Sequence, residues 1–121
     1  MSDVRQVIDD FVSGLDGETR RVSPDEWGLT VDASGWPLHV GIALRDGLLR
    51  AQAEVAGADQ IDEHQLLWWN RQLPLVRFSH GRDRRVHIQV DLPPSAVTPA
   101  ELDRVLGLLV RAAAEAREHA R

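Results

Sequence analysis

The run Leu66–Leu67–Trp68–Trp69 constrains this chain more than any other stretch. It is a four-residue apolar block that ends in Asn70–Arg71 and a Leu73–Pro74 stop. A surface helix buries one stripe, whereas a helix that is apolar nearly all round needs two surfaces to bury against. A domain of 121 residues offers one such surface. A second subunit is the simplest source of the other, so Leu66, Leu67, Trp68 and Trp69 are the expected interface of a homodimer. The two Trp residues differ by one position and point about 100° apart on a helix. One of them belongs to the chain's own core. The other belongs at an interface, where Trp is enriched among energetic hot spots. The sequence does not say which is which.

Composition excludes several classes. The chain is of ordinary domain size and carries 43% apolar and 27% charged residues, which is a globular balance, so residues 1–121 are read as one domain. The formal net charge of −5 argues against nucleic acid as the main partner, since phosphate binding needs positive charge. All 14 basic residues are Arg, a coding bias and not a function. With no Cys there are no disulfides, thiolate metal sites or Cys nucleophiles. No basic segment leads into an apolar run near Met1, so no signal peptide is expected. No stretch approaches the ~20 apolar residues of a membrane span. A cytoplasmic location is the simplest expectation.

Periodicity and turn chemistry give the elements. Val4, Val7, Ile8, Phe11, Val12 and Leu15 form one helical stripe, opened by Ser2 or Asp3. Trp27, Leu29 and Val31 alternate as a strand. The Ala33–Ser34–Gly35 turn leads to a second, with Leu38, Val40, Ile42 and Leu44 inward. Asp46–Gly47 is a two-residue hairpin signal, and Leu49, Ala51, Ala53 and Val55 face inward on the third strand. Asp62 caps the second helix with Gln65 as its reciprocal partner, and Ile61 and Leu66 staple it. Strand four spans Leu75–Ser79 and strand five Arg84–Leu92, joined by His80–Asp83. Thr98, Pro99 and Glu101 open the third helix with a capping box, and Val97 and Leu102 staple it. Its tail, Ala112–Arg121, is expected to fray.

The expected fold is α+β: a five-stranded antiparallel sheet with three helices, in the order α-β-β-β-α-β-β-α. Clean alternation means that the helices cover mainly one face. The segment Trp69–Asn70–Arg71–Gln72–Leu73–Pro74–Leu75, followed by Arg77–Phe78, resembles the YbjN family. So do the Asp91–Leu92–Pro93 strand ending and the opening Val97–Thr98–Pro99–Ala100–Glu101–Leu102. That family shares its fold with type III secretion chaperones of the CesT kind. The resemblance implies a small, homodimeric, non-enzymatic protein that binds peptide segments of a client or regulatory protein, in stress response or regulation.

The residues themselves announce no reaction. His39 and His87 fall on the outer sheet face without a third ligand, and metal sites want three or four converging ligands. Asp59, Asp62 and Glu63 complement a helix N-terminus. Ser79, His80 and Asp83 lie at a hairpin tip that offers no cleft. The glycines form no phosphate-binding motif. No cofactor, metal or catalytic residue is expected. The Arg-rich hairpin, with Arg77, Arg82, Arg84 and Arg85 beside Arg71, has three readings: a solvated tip that blocks edge aggregation, a dock for an acidic protein segment, or a nucleic-acid patch. No stacking aromatics are expected on the exposed face near it, which weakens the last. Trp36 and Leu48 complete the candidate partner-binding set with Arg77, Arg82, Arg84 and Arg85. The alternative function is a nucleic-acid-associated accessory factor that uses this hairpin.

Overall fold

A computed structural model describes residues 3–120. Helix α1 (Val4–Ser13) starts where the Asp3 carboxylate accepts from the Arg5 N–H at 3.0 Å. Ser2, the other candidate cap, lies outside the described residues. Four strands follow: β1 (Glu18–Ser23), β2 (Glu26–Ala33), β3 (Trp36–Arg45) and β4 (Leu48–Ala56). Helix α2 (Glu63–Gln72), β5 (Arg77–His80), β6 (Val86–Leu92), one 3-10 turn (Pro94–Ala96) and α3 (Pro99–Glu118) complete the chain. All pairings are antiparallel, in the order β1-β2-β3-β4-β6-β5.

The sheet therefore has six strands, not the expected five. The extra strand, β1, reads Glu-Thr-Arg-Arg-Val-Ser and is polar on both faces. It has no apolar alternation for a sequence reading to detect. Its place at the edge explains that composition, because an edge strand has only one paired flank and much solvent. Strand β5 starts at Arg77, two residues later than expected. Leu75 adopts φ 62° within a tight turn that the Val76 N–H closes onto the Pro74 carbonyl at 2.6 Å. Likewise Arg84, at φ 66°, belongs to the turn before β6.

The core lies between one face of the sheet and helices α1 and α3. Trp27, Leu38, Ile42, Leu49, Ile88 and Val90 from the sheet are buried, as are Ile8 from α1 and Leu102, Val105 and Leu109 from α3. Trp27 also places its indole N–H 3.2 Å from the Asp9 carboxylate, with the Arg21 guanidinium over its ring. The α3 tail does not fray as expected. Ala112, Ala113 and Ala116 are buried, so small side chains let this end of the helix close on the sheet. Arg117 then donates to four backbone carbonyls: Val55 at 2.9 Å, Ala33 at 3.1 Å, Trp36 at 3.0 Å and Pro37 at 3.1 Å. Desolvation lowers its pKa, against the opposing pull of Asp32.

The caps behave locally as the sequence suggests, but without full reciprocity. Thr98 Oγ1 accepts from the Glu101 N–H at 3.1 Å, while the Glu101 carboxylate turns to Arg104. Asp62 accepts from the N–H of His64, and not from that of Gln65. The stapling residues Ile61, Leu66, Val97 and Leu102 are buried.

Candidate partner-binding surfaces

Helix α2 settles the order of the apolar block. Leu66 is buried. Trp69 is half-buried, with ring centroids 5.5 Å from Phe78 and 5.2 Å from His119. Leu67 and Trp68 point out, at 67% and 54% exposure. Of the four residues expected at an interface, two thus serve the chain's own packing and two remain available. A Trp half in water leaves much apolar area uncovered.

The next residue, Asn70, gives the Trp–Asn–Arg motif a physical meaning. Its side-chain amide donates to the Phe78 carbonyl at 3.0 Å and accepts from the Phe78 N–H at 2.7 Å. Phe78 lies on β5, the strand at one edge of the sheet. A single amide thus occupies both backbone groups that a further strand would use there. At the opposite edge, among the described residues, no other element donates to or accepts from the backbone of β1 on its outward side. Val22 on this strand is 54% exposed.

The Arg-rich hairpin is largely self-neutralised. Arg84 pairs with Asp59 and lies 3.9 Å from Glu63. Arg85 pairs with Glu54 at 3.2 Å and Asp83 at 3.7 Å. Arg77 donates to the carbonyls of Leu73 and Val76. Arg71 and Arg82 have no such partner among the described residues. The acids that answer this cluster come mostly from other elements, which is why the run looks more basic in sequence than it is in space.

Trp36 and Leu48 stand at opposite ends of the sheet. Trp36 follows the β2–β3 turn, where Ser34 and Gly35 adopt φ 59° and 83°, and it is 70% exposed. Leu48 begins β4 and lines an open depression of about 590 Å³ with Val4, Leu44 and Pro94 beside the start of α1. A groove beside helix one is expected from the sequence, but only Leu48 of its lining could be named, because its walls come from three separate segments. Along the sheet, sequence reasoning did not single out Arg20, Gly28, Gly41 and Gln52, which help to line a shallow trough of about 500 Å³ on the outer face. Its signal was two glycines inside strands, which matter only once the register brings them together.

His39 and His87 lie on β3 and β6, separated by β4, about two strand spacings of ~5 Å apart. The His39 Nδ1 is engaged with the Thr30 hydroxyl at 3.0 Å. No three His, Asp or Glu side chains converge in a metal-binding group among the described residues. Among the described residues no helix is long and apolar enough to cross a membrane.

No family model matches the sequence, and no curated protein matches it. The fold resembles that of several solved chains. A chain of the HopA1–SchA chaperone–effector complex is similar at a TM-score of 0.75 and 15% identity, over 94% of this chain and 92% of that one. A chain of the ExsC–ExsE complex gives 0.72 and 19%, over 95% and 91%. A chain of the complex between the Yersinia pestis type III secretion chaperone SycH and a stable fragment of YscM2 gives 0.65 and 19%, over 94% and 99%. The chain thus shares the fold of these solved chains, and its own sheet has six strands.

Proposed function

We propose that this chain is a non-enzymatic, chaperone-like module that works as a homodimer and holds a segment of a partner protein. The observation that carries the reading is the open β1 edge of a sheet whose other edge is closed by Asn70. An extended client segment adds to an exposed edge by backbone hydrogen bonds and gains specificity from side-chain pockets. The apolar depression at Val4, Leu44, Leu48 and Pro94 offers such a pocket beside α1. Leu67 and Trp68 form the dimer contact; in a symmetric dimer the same patch is buried twice. The similar chaperone–effector and chaperone–fragment complexes support the class, and the Trp69–Leu75 motif supports the YbjN reading with its role in stress response or regulation. One such domain acts in the cytoplasm, on a client or regulatory protein. Because Arg77, Arg84 and Arg85 are already engaged, the nucleic-acid reading has less to stand on.

The test uses β1 and Trp68. In an antiparallel edge, neighbouring residues alternate between N–H groups aimed at the paired strand and N–H groups aimed outward. Of Glu18→Pro and Thr19→Pro, one therefore keeps the β1–β2 ladder intact and the fold stable. That variant should lose the proteins that the unmutated chain captures from native cell extract, and hydrogen exchange should show β1 protected in the captured complex. A partner that binds the edge-proline variant equally well refutes strand addition. Light scattering should give a dimer that Trp68→Asp splits. A monomeric unmutated protein at micromolar concentration removes the homodimer from the reading.

A further inference from the structure

The outer sheet face carries two glycines, and the fold itself does not require the exposed one, Gly41. Gly28 on β2 and Gly41 on β3 are directly paired. Neither has a positive φ, so neither is needed for a left-handed backbone. The β2–β3 ladder runs from Glu26↔Ala43 to Ala33↔Trp36 without a shift, so they mark no bulge. A Cβ at Gly41 would meet nothing within 4 Å. Glycine inside a strand weakens it and often marks a place where a ligand or another backbone comes close. At Gly41, in the middle of a sheet, turn, bulge and crowding are all absent, and close approach from outside the chain is what is left.

The rim supplies the chemistry. The Arg20 guanidinium lies over Gly28, where a Cβ would come within 3.1 Å of its Cζ. Arg20 has no ion pair or hydrogen bond among the described residues, although the chain has a net charge of −5. Its neighbours are answered: Arg45 by Glu26 and Arg50 by both oxygens of Asp91. The trough between β1 and β4 thus has exposed backbone at Gly41, one unanswered cation, the exposed Val22 and the Gln52 amide.

We propose that this trough seats a bulky, flat side chain of an acidic segment of the partner protein on the exposed backbone at Gly41, with a neighbouring carboxylate on Arg20. The proposal rests on the reading of the chain as a partner-binding module and adds the chemistry of what is bound. The exposed backbone accepts an aromatic ring face-on, and the guanidinium matches a carboxylate with paired donors. A basic segment would leave Arg20 facing like charge.

The probe is the acetylated, amidated peptide Glu-Val-Glu-Trp-Glu-Val-Glu, titrated into ¹⁵N-labelled protein and followed by amide chemical shifts. Controls carry Lys for every Glu, or Ala for Trp. The amides of Gly28, Gly41 and Gln52 should shift with the acidic Trp peptide and far less with either control. Arg20→Ala should weaken binding about tenfold or more, as expected for a lost charge-assisted contact. Gly41→Val should cover this backbone and abolish the shifts while the protein stays folded, since Val suits a strand; Gly41→Ala gives a weaker loss and guards against misfolding. Equal binding by Gly41→Val overturns the proposal. So do shifts confined to β1, or no shift with any peptide at millimolar concentration. Shifts at Gly28 and Gly41 that depend on protein concentration alone would assign the face to a second copy of the chain, and also overturn it. The edge-proline test judges strand addition separately from any of these results.

Discussion

The two edges of the sheet are treated in opposite ways. At β5 the strand is four residues long, Phe78 stacks with Trp69, and the Asn70 amide satisfies both outward backbone groups of Phe78. At β1 the strand is six residues long, and among the described residues no other element hydrogen-bonds to its outward backbone. Edge strands invite pairing with other chains, and proteins blunt them with short strands, charges or covering elements. Strand β5 is short and covered. Strand β1 is only charged, through Glu18, Arg20 and Arg21. Charge discourages indiscriminate self-pairing but leaves the hydrogen-bonding groups free. The contrast teaches that closing an edge takes a single well-placed amide here, so an edge left without one is a feature to be explained.

The comparison breaks most severely at Asn70. Asn70→Ala leaves the part-buried Phe78 N–H and carbonyl unanswered, each at a cost of about 1–3 kcal/mol. A loss near 3 kcal/mol is expected in the urea midpoint. The Phe78 amide should also exchange hydrogen about a hundredfold faster, the factor that corresponds to ~3 kcal/mol. A new tendency to associate through β5 should appear in light scattering. An unchanged midpoint would mean that the Asn70 clamp does not hold this edge.

Arg117→Met sharpens the contrast by separating stability from edge opening. It removes the guanidinium that answers four carbonyls yet touches neither edge. A cost of about 2 kcal/mol is expected, in the range for hydrogen bonds to a charged group, with Phe78 exchange rising no more than global stability falls. Selective exposure of Phe78 in this variant would show the edges to be coupled to the α3 tail.

The smallest effect belongs to β1. Val22→Lys, on an exposed side chain, should change stability by no more than about 0.5 kcal/mol. Partner capture should nevertheless fall, since Val22 lies on the open strand and lines the trough. If capture is unchanged while the edge-proline variant loses it, backbone pairing alone carries the interaction at this edge.

Much of the fold could be read from local chemistry. The caps at Asp62 and Thr98 and the turns at Ser34–Gly35 and Asp46–Gly47 act within a few residues, so the chain states them directly. The alternation in β2, β3, β4 and β6 follows from one buried face. Strand β1 escaped because an edge strand that is polar on both sides carries no period. The α3 tail escaped because Ala suits a solvated helix and a tightly packed one equally. The surfaces were harder still. Whether Trp68 or Trp69 turns inward is decided by Phe78 and His119, nine and fifty residues away from Trp69 along the numbering. The acids that neutralise Arg84 and Arg85 sit at Asp59 and Glu54, on the far side of α2 in sequence. The Gly28–Gly41 pair exists only in the register of two strands.

The joint made by Arg117 uses a permanent cation and four groups that never titrate. A guanidinium stays protonated throughout the acidic range, and backbone carbonyls have no charge to lose. Surface ion pairs depend on carboxylates, which acid neutralises. On acidification the perimeter of the molecule should therefore slacken first, while the seam between the end of α3 and the β2–β3 turn that presents Trp36 stays shut. The protein has in effect an acid-tolerant rivet, placed next to its most exposed tryptophan.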